Sequence, residues 1–110
     1  MKIPNAEQTV VDIRKLRDYC LNTEHRIGKH KATLSESLLG LRVENAESLQ
    51  ATLLEIVKTH EAELDDKDEH GQRYQITFAL TWGQRTTNVL SAWIVRPEEG
   101  FPCLVTCYPV

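Results

Sequence analysis

The first half of the chain repeats apolar residues at intervals of three and four, the spacing of helices that bury one face. Asp12 is a good N-terminal cap, and the pattern behind it predicts a first helix over about residues 12–21. A second helix is predicted over residues 29–39, with Gly40 as its C-terminal cap. A third is predicted over about residues 44–60, with a clear apolar stripe along one face.

After Gly71 the apolar residues alternate with polar ones, so the period changes from that of a helix to that of a strand. The first predicted strand begins at residue 73 and presents an apolar face made of Tyr74, Ile76, Phe78 and Leu80. A second strand over residues 86–96 is apolar on both faces, and a third spans residues 102–109. The polar residues 61–72 are predicted to form an exposed acidic loop.

Together these elements predict one α+β domain over residues 1–110, with a helical part over 12–60, an acidic loop over 61–72 and a sheet over 73–109. The connections between the predicted strands are short, which favours antiparallel pairing of neighbours in sequence. The expected architecture is therefore three N-terminal helices followed by a three-stranded antiparallel meander packed against them.

Composition limits the class of protein. The chain has 13 Lys and Arg against 16 Asp and Glu, and the basic residues are concentrated in its first third. No apolar run approaches the roughly 20 residues that cross a bilayer, and the N-terminus does not resemble a signal peptide. We therefore expect a cytoplasmic protein with no membrane contact. Cys20, Cys103 and Cys107 are odd in number and lack Cys-x-x-Cys spacing, so we expect reduced thiols, no metal site and no cofactor.

One loop concentrates the candidate chemistry, because residues 25–31 contain five potentially cationic side chains around Gly28. Gly28 is predicted to turn the loop with a positive φ, which places Lys29, His30 and Lys31 in the first turn of the second helix. Cations there are opposed by the helix dipole, so their presence invites a functional explanation. The lysines and the free amides of that turn would together bind a phosphate. The alternative is a solvated helix start that binds nothing.

Four segments, Lys15–Asn22, Gly28–Ala32, Ser91–Arg96 and Pro102–Tyr108, together resemble a family of uncharacterised bacterial domains. The residues that match the pattern of that family are Gly28, Lys31, Trp93, Thr106 and Tyr108. The resemblance spans nearly the whole chain and implies either a small stand-alone protein, often encoded beside another small gene, or the tail of a phage or secreted-toxin protein. These contexts and the order of elements are similar to the barnase, EndoU, colicin and RelE group of metal-independent ribonucleases.

Cleavage of RNA without metal needs a base, an acid and a cation for the charged phosphorane. We predict Lys31 as the cation, His25 as acid or base, and Ser91 and Thr106 as orienting hydroxyls. The residues predicted to contact phosphate or RNA are Gly28, Lys29, His30, Arg73, Trp93 and Tyr108, of which the two aromatic residues would stack on bases. A tryptophan on a central strand is, however, more often a core residue.

A competing prediction is a module that binds protein and catalyses nothing. In that case the sheet or one of its edges binds a small cognate partner protein or a second copy of the chain, and residues 25–31 are solvated surface. The mildly acidic net charge favours this alternative, since many small ribonucleases are basic. The expected partner is RNA in the first case and a protein in the second, and the sequence leaves the oligomeric state open.

Overall fold

The computed structural model describes all of residues 1–110 and contains, besides single 3-10 turns at Ala6–Gln8 and Val43–Asn45, three longer helices, which lie in the predicted regions. The first helix, α1, begins with an α-helical turn and continues as a π-helix, so it is wider than a regular helix over most of its length. The bounds are Ile13–Lys15 and Leu16–Cys20 for the two parts of α1, Lys29–Leu39 for α2 and Ala46–Thr59 for α3.

The caps predicted for the first two helices are confirmed. The Asp12 carboxylate accepts a hydrogen bond from the Arg14 amide at 2.9 Å, which satisfies one of the free amides at the start of α1. Gly40 ends α2 with a φ of 78°, and its amide donates to the Glu36 carbonyl at 2.9 Å. Local sequence therefore specifies both of these helix ends.

The prediction of a three-stranded sheet is wrong, because the sheet has four strands in the order β1-β2-β3-β4. Each strand is antiparallel to its neighbour, so the sheet is a meander. The bounds are Glu63–Asp68 for β1, Gly71–Trp82 for β2, Arg85–Val95 for β3 and Pro102–Pro109 for β4.

The additional strand, β1, lies in the segment that was predicted to be an acidic loop over residues 61–72. It pairs with β2 from Glu63 opposite Gln75 to Asp68 opposite Gly71. All six residues of β1 are exposed, so the strand has no buried face and shows no alternation of apolar and polar residues. Backbone pairing to β2 forms this edge strand, and side-chain burial contributes almost nothing to it.

The turn between β1 and β2 requires glycine at its end. Gly71 has a φ of 140°, and a Cβ at this position would collide with the Val95 carbonyl oxygen on β3. The backbones of β2 and β3 approach closely here because Gln72 is paired with Val95. Gly71 therefore permits both the turn and the start of the central strand pair.

The helices pack on one face of the sheet, and the core lies between the two layers. Tyr74, Ile76, Phe78 and Leu80 of β2 are buried as predicted, whereas the residues that alternate with them on the other face are partly or fully exposed. Trp93 near the end of β3 and Leu16 of α1 are both fully buried. None of the helices has the length and apolar character needed to span a bilayer.

The two edges of the sheet differ. The outer side of β4 is joined at its start by a parallel bridge from Val10 to Cys103, with a hydrogen bond from the Val10 amide to the Pro102 carbonyl at 3.0 Å. The outer side of β1 has no strand beside it. β1 is therefore the open edge of the sheet.

Candidate functional site

The structure brings Lys31 and Tyr108, which lie near opposite ends of the chain, into direct contact. Lys31 is in the first turn of α2, and Tyr108 is near the end of β4. The Lys31 Nζ atom lies 4.4 Å from the centre of the Tyr108 ring, a cation–π contact that holds the ammonium group over the aromatic face. Both side chains are half-buried, so each keeps one side open to solvent.

His25 is fixed by hydrogen bonds from the loop that follows it. Its Nδ1 atom accepts from the Ile27 amide at 3.0 Å and from the Gly28 amide at 2.9 Å. The neutral ring must therefore carry its proton on Nε2. The ring also packs edge to face on Tyr19, with centroids 4.9 Å apart and planes at 84°. His25 can thus offer a hydrogen-bond donor in a defined orientation.

Gly28 has a different role from the predicted one. Its φ is −85°, so the expectation of a positive φ is wrong. A Cβ here would lie 3.0 Å from the Tyr19 carbonyl oxygen and 3.1 Å from the Tyr19 ring, so a side chain would fit only if Tyr19 moved by a few tenths of an ångström. Close approach to α1, rather than backbone freedom, explains the glycine.

The first amides of α2 are not all available to an anion. The Gly28 amide donates to His25, and the Lys29 amide donates to the His25 carbonyl at 3.0 Å. An anion at this position would therefore be held mainly by side chains. Lys29 and His30 are exposed in the first turn of α2, which also contains Lys31.

Thr106 lies two residues before Tyr108 on β4 and contacts the end of α1. Its Oγ1 atom is 3.8 Å from the Cys20 Sγ atom. A hydrogen bond from Cys107 lowers the pKa of Cys20 from 9.0 to about 7, against the opposing effect of burial, and the Thr106 hydroxyl contributes in the same direction. The hydrogen bond to Cys20, together with burial, raises the pKa of Cys107.

The sequence did not reveal the proximity of Cys20 to Thr106. Both Cys20 and Cys107 are buried and all three cysteines are free thiols, as expected. Tyr19 packs on the His25 ring and lies against Gly28. It was not predicted as part of a site. No sequence signal identifies these contacts, because they depend on how the π-helical part of α1 meets α2 and β4.

Ser91 and Trp93 lie away from this surface, and their predicted contact with substrate is not compatible with their burial. Both residues are fully buried on β3. The Ser91 hydroxyl donates to the Ile76 carbonyl at 2.9 Å and accepts from Trp93 Nε1 at 2.9 Å. These bonds satisfy the polar atoms of both side chains inside the core, so their role is structural.

Arg73 is also separate from the loop of residues 25–31. It lies on β2 opposite Ile94, and its guanidinium group is 3.7 Å from the Asp68 carboxylate on β1. Of the predicted residues, the structure brings Lys31 of α2 and Tyr108 of β4 into direct contact. We call this pair, together with Thr106 two residues earlier on β4 and His25 in the loop before α2, the loop–strand site.

Comparison with solved structures shows a shared fold. The chain is similar to a chain of the contact-dependent growth inhibition toxin–immunity protein complex from Klebsiella pneumoniae 342, with a TM-score of 0.68 and 16% sequence identity. The match covers 94% of this chain and 95% of that chain. The predicted relation to small ribonucleases stays a prediction.

Comparison with protein-family models shows the family to which the chain belongs. No curated protein matches the sequence at a significant level. A family model described as a domain of unknown function (DUF6883) matches residues 2–110, which is nearly the whole chain. The chain therefore belongs to this family of domains of unknown function.

Proposed function

We propose that this chain is a toxin-type domain that cleaves RNA without a metal ion, and that the loop–strand site carries the reaction. The observation that supports this most is the contact of Lys31 with Tyr108, which places a cation beside an aromatic ring on a partly open surface. The fold likeness to a chain of a toxin–immunity complex supports the toxin context. Cation and ring together suit a phosphate with a neighbouring base.

In the proposed reaction the ribose 2′-oxygen attacks the adjacent phosphorus after losing its proton. The bond from phosphorus to the 5′-oxygen then breaks, and that oxygen takes up a proton from solvent water. The products are a 2′,3′-cyclic phosphate and a 5′-hydroxyl end. Negative charge builds up on the phosphoryl oxygens between these two steps. The Lys31 ammonium group is the residue that would stabilise this charge.

His25 would act as a hydrogen-bond donor to a phosphoryl oxygen. Since Nδ1 accepts two amide hydrogen bonds, the neutral ring presents Nε2–H and has no free lone pair with which to take a proton. The base for the 2′-hydroxyl must then be another group, and we assign this role to His30, the exposed imidazole beside Lys31. Thr106 would orient the substrate from β4.

The test compares Lys31→Met with Lys58→Met, which removes an exposed lysine from α3 on another part of the surface. Both variants are incubated with RNA in chelator after a check of thermal stability. We expect Lys31→Met to lose about 10²–10³-fold in cleavage rate, the usual effect of removing one group that stabilises a transition state. Lys58→Met should cleave at the rate of the parent. Equal rates for all three proteins would refute the proposal.

Two substitutions of His25 separate its effect on the loop from its effect on the reaction. His25→Asn keeps an oxygen near the position of Nδ1, so it can still accept from the Ile27 and Gly28 amides. It has no group at the position of Nε2. We expect His25→Asn to retain the melting temperature of the parent and to lose cleavage. His25→Ala should have a lower melting temperature and should also lose cleavage. Full activity in His25→Asn would remove His25 from the mechanism.

A protein-interaction module is the second candidate, and one observation favours it. The outer edge of β1 is unpaired along a strand whose six residues are all exposed. A strand from a cognate partner protein or from a second copy of the chain would extend the sheet at this edge. Light scattering of the parent and of Asp66→Pro tests this, because proline within the strand removes a backbone donor and blocks pairing. Association of the parent that is lost in the variant would support the second candidate.

A further inference from the structure

We propose that a pocket between α2 and the turn from β2 to β3 binds a phosphate group, and that in the protein this phosphate belongs to the RNA of the proposed function. The inference rests on that function only for the source of the phosphate. The pocket has a volume of about 400 Å³. Its lining residues are Thr23, Thr33, Glu36, Ser37, Arg42 and Arg85, none of which is apolar.

The two arginines come from distant parts of the chain and converge on one pocket. Arg85 is the first residue of β3, and its Nη1 atom donates to the Ser37 carbonyl at 3.2 Å. That single bond orients the guanidinium group and leaves its other N–H groups for a ligand. Arg42 follows the end of α2, and its side chain is 62% exposed. Guanidinium groups suit phosphate because they donate two parallel hydrogen bonds to it.

Glu36 is the one carboxylate in the pocket and does not cancel its charge. It lies 3.7 Å from Arg42 Nε, a separation at which exposed ion pairs contribute little. With two guanidinium groups and one carboxylate, the lining carries a net positive charge in a chain whose total is −3. The side-chain hydroxyls of Thr23 and Ser37 add neutral hydrogen-bond donors. This combination favours a phosphate over a cation or an apolar ligand.

The pocket is distinct from the loop–strand site. Thr33 and Lys29 are one turn apart on α2, and the Thr33 hydroxyl donates to the Lys29 carbonyl at 2.8 Å. Lys31 is two residues from each of them, so it lies on the opposite flank of the helix, over Tyr108. A polynucleotide that reaches both places must pass around the start of α2, where Lys29 and His30 are exposed. A flexible single strand satisfies this requirement better than a rigid duplex.

The test uses the double variant Arg42→Gln/Arg85→Gln and a matched control, Lys58→Gln/Lys67→Gln, which removes two exposed charges elsewhere. Binding of a fluorescent oligoribonucleotide with 2′-O-methyl groups, which resists cleavage, is measured by anisotropy at several salt concentrations. We expect the double variant to bind about tenfold more weakly. Its salt dependence should fall by about 0.7 for each RNA phosphate that it no longer neutralises. The control should bind like the parent.

A second ligand identifies the source of the phosphate. Pyrophosphate is titrated into the parent and the double variant, and the shifts of the arginine side-chain signals are followed by NMR. Shifts in the parent alone, with weaker RNA binding by the double variant, support both parts of the proposal. Pyrophosphate binding without any effect on RNA binding supports the pocket and overturns the RNA source. No difference between parent and variant with either ligand overturns the proposal entirely.

Two further variants keep the test decisive and separate it from the proposed function. Arg42→Gln alone disturbs only a surface ion pair, so it remains folded if removal of the bond from Arg85 to Ser37 destabilises the double variant. Arg42→Lys/Arg85→Lys keeps the charge and should recover part of the binding. Cleavage by the parent together with unchanged binding in the glutamine variants would refute the pocket and leave the ribonuclease intact. Weakened RNA binding by the glutamine variants, with no cleavage by the parent, would support the pocket and refute the ribonuclease.

Discussion

Replacing Ser91 with alanine distinguishes a structural role for this residue from the catalytic role that the sequence predicted. Ser91 Oγ is the hydrogen-bond acceptor of Trp93 Nε1 and is itself a donor to the Ile76 carbonyl. Both Ser91 and Trp93 are fully buried, so water cannot replace the missing hydroxyl. Ser91→Ala therefore leaves the indole N–H without a partner in the core.

The size of the effect follows from the cost of one buried donor left unpaired, which is about 1–3 kcal/mol. The entropy of unfolding of a domain is about 2.1 cal/mol/K per residue, so for a chain of this length 1 kcal/mol corresponds to about 4 °C in melting temperature. We expect Ser91→Ala to melt about 9 °C below the parent if the loss is about 2 kcal/mol. Differential scanning calorimetry measures this shift directly.

Ser35→Ala is the matched control, because Ser35 is the other buried serine and lies within α2. Alanine favours a helix by a few tenths of a kcal/mol relative to serine. The melting temperature of Ser35→Ala should therefore stay close to that of the parent. RNA cleavage by Ser91→Ala, measured well below its melting temperature, should be close to that of the parent. A variant that keeps the stability of the parent but loses cleavage would refute the structural role.

Three further substitutions test particular features of the fold. Gly71→Ala should lower the free energy of unfolding, measured by urea denaturation, by about 3 kcal/mol, because alanine disfavours a φ of 140° and its Cβ would collide with the Val95 carbonyl oxygen. A free energy of unfolding equal to that of the parent would contradict this geometry. Gly28→Ala should cost about 1–3 kcal/mol, since its Cβ would lie 3.0 Å from the Tyr19 carbonyl, and unchanged stability and activity would show that α1 and α2 do not approach so closely. Hydrogen bonds from Arg14 lower the pKa of the Asp12 carboxyl group below its usual value of 3.8. The ionised carboxylate therefore stabilises the fold fully above pH 3.8, and this stabilisation is lost as the pH falls through the lowered pKa. The difference in melting temperature between the parent and Asp12→Ala should therefore shrink in acid, and a constant difference would show that the carboxylate charge is not involved.

Elements specified by local patterns were predictable from the sequence. The three helices and the strands β2, β3 and β4 each show the periodicity of one buried face or of a buried strand. β1 was missed because an edge strand with every side chain exposed has the composition of a loop. Its position depends on the backbone of β2, and hydropathy carries no information about that pairing.

The candidate site was predicted in residue type more than in geometry. Lys31 and Tyr108 were both selected, but only the packing of α2 on β4 places them 4.4 Å apart. Ser91 has the chemistry of an active-site hydroxyl, and the sequence does not reveal that Trp93 uses this hydroxyl inside the core. Gly28 was selected for a positive φ that it does not have, and its close contact with Tyr19 cannot be read from the sequence of either residue.

The measurement that tests the proposed ribonuclease most directly is incubation of the purified protein with a short oligoribonucleotide in chelator, followed by analysis of the product ends. A matched oligonucleotide with 2′-deoxyribose provides the control, since the proposed attack requires the 2′-hydroxyl. We expect the parent to produce fragments with 2′,3′-cyclic phosphate and 5′-hydroxyl ends, to leave the deoxy control intact, and to lose this activity on Lys31→Met. An intact oligoribonucleotide at high protein concentration, or equal cleavage by Lys31→Met, would contradict the proposal that the loop–strand site cleaves RNA.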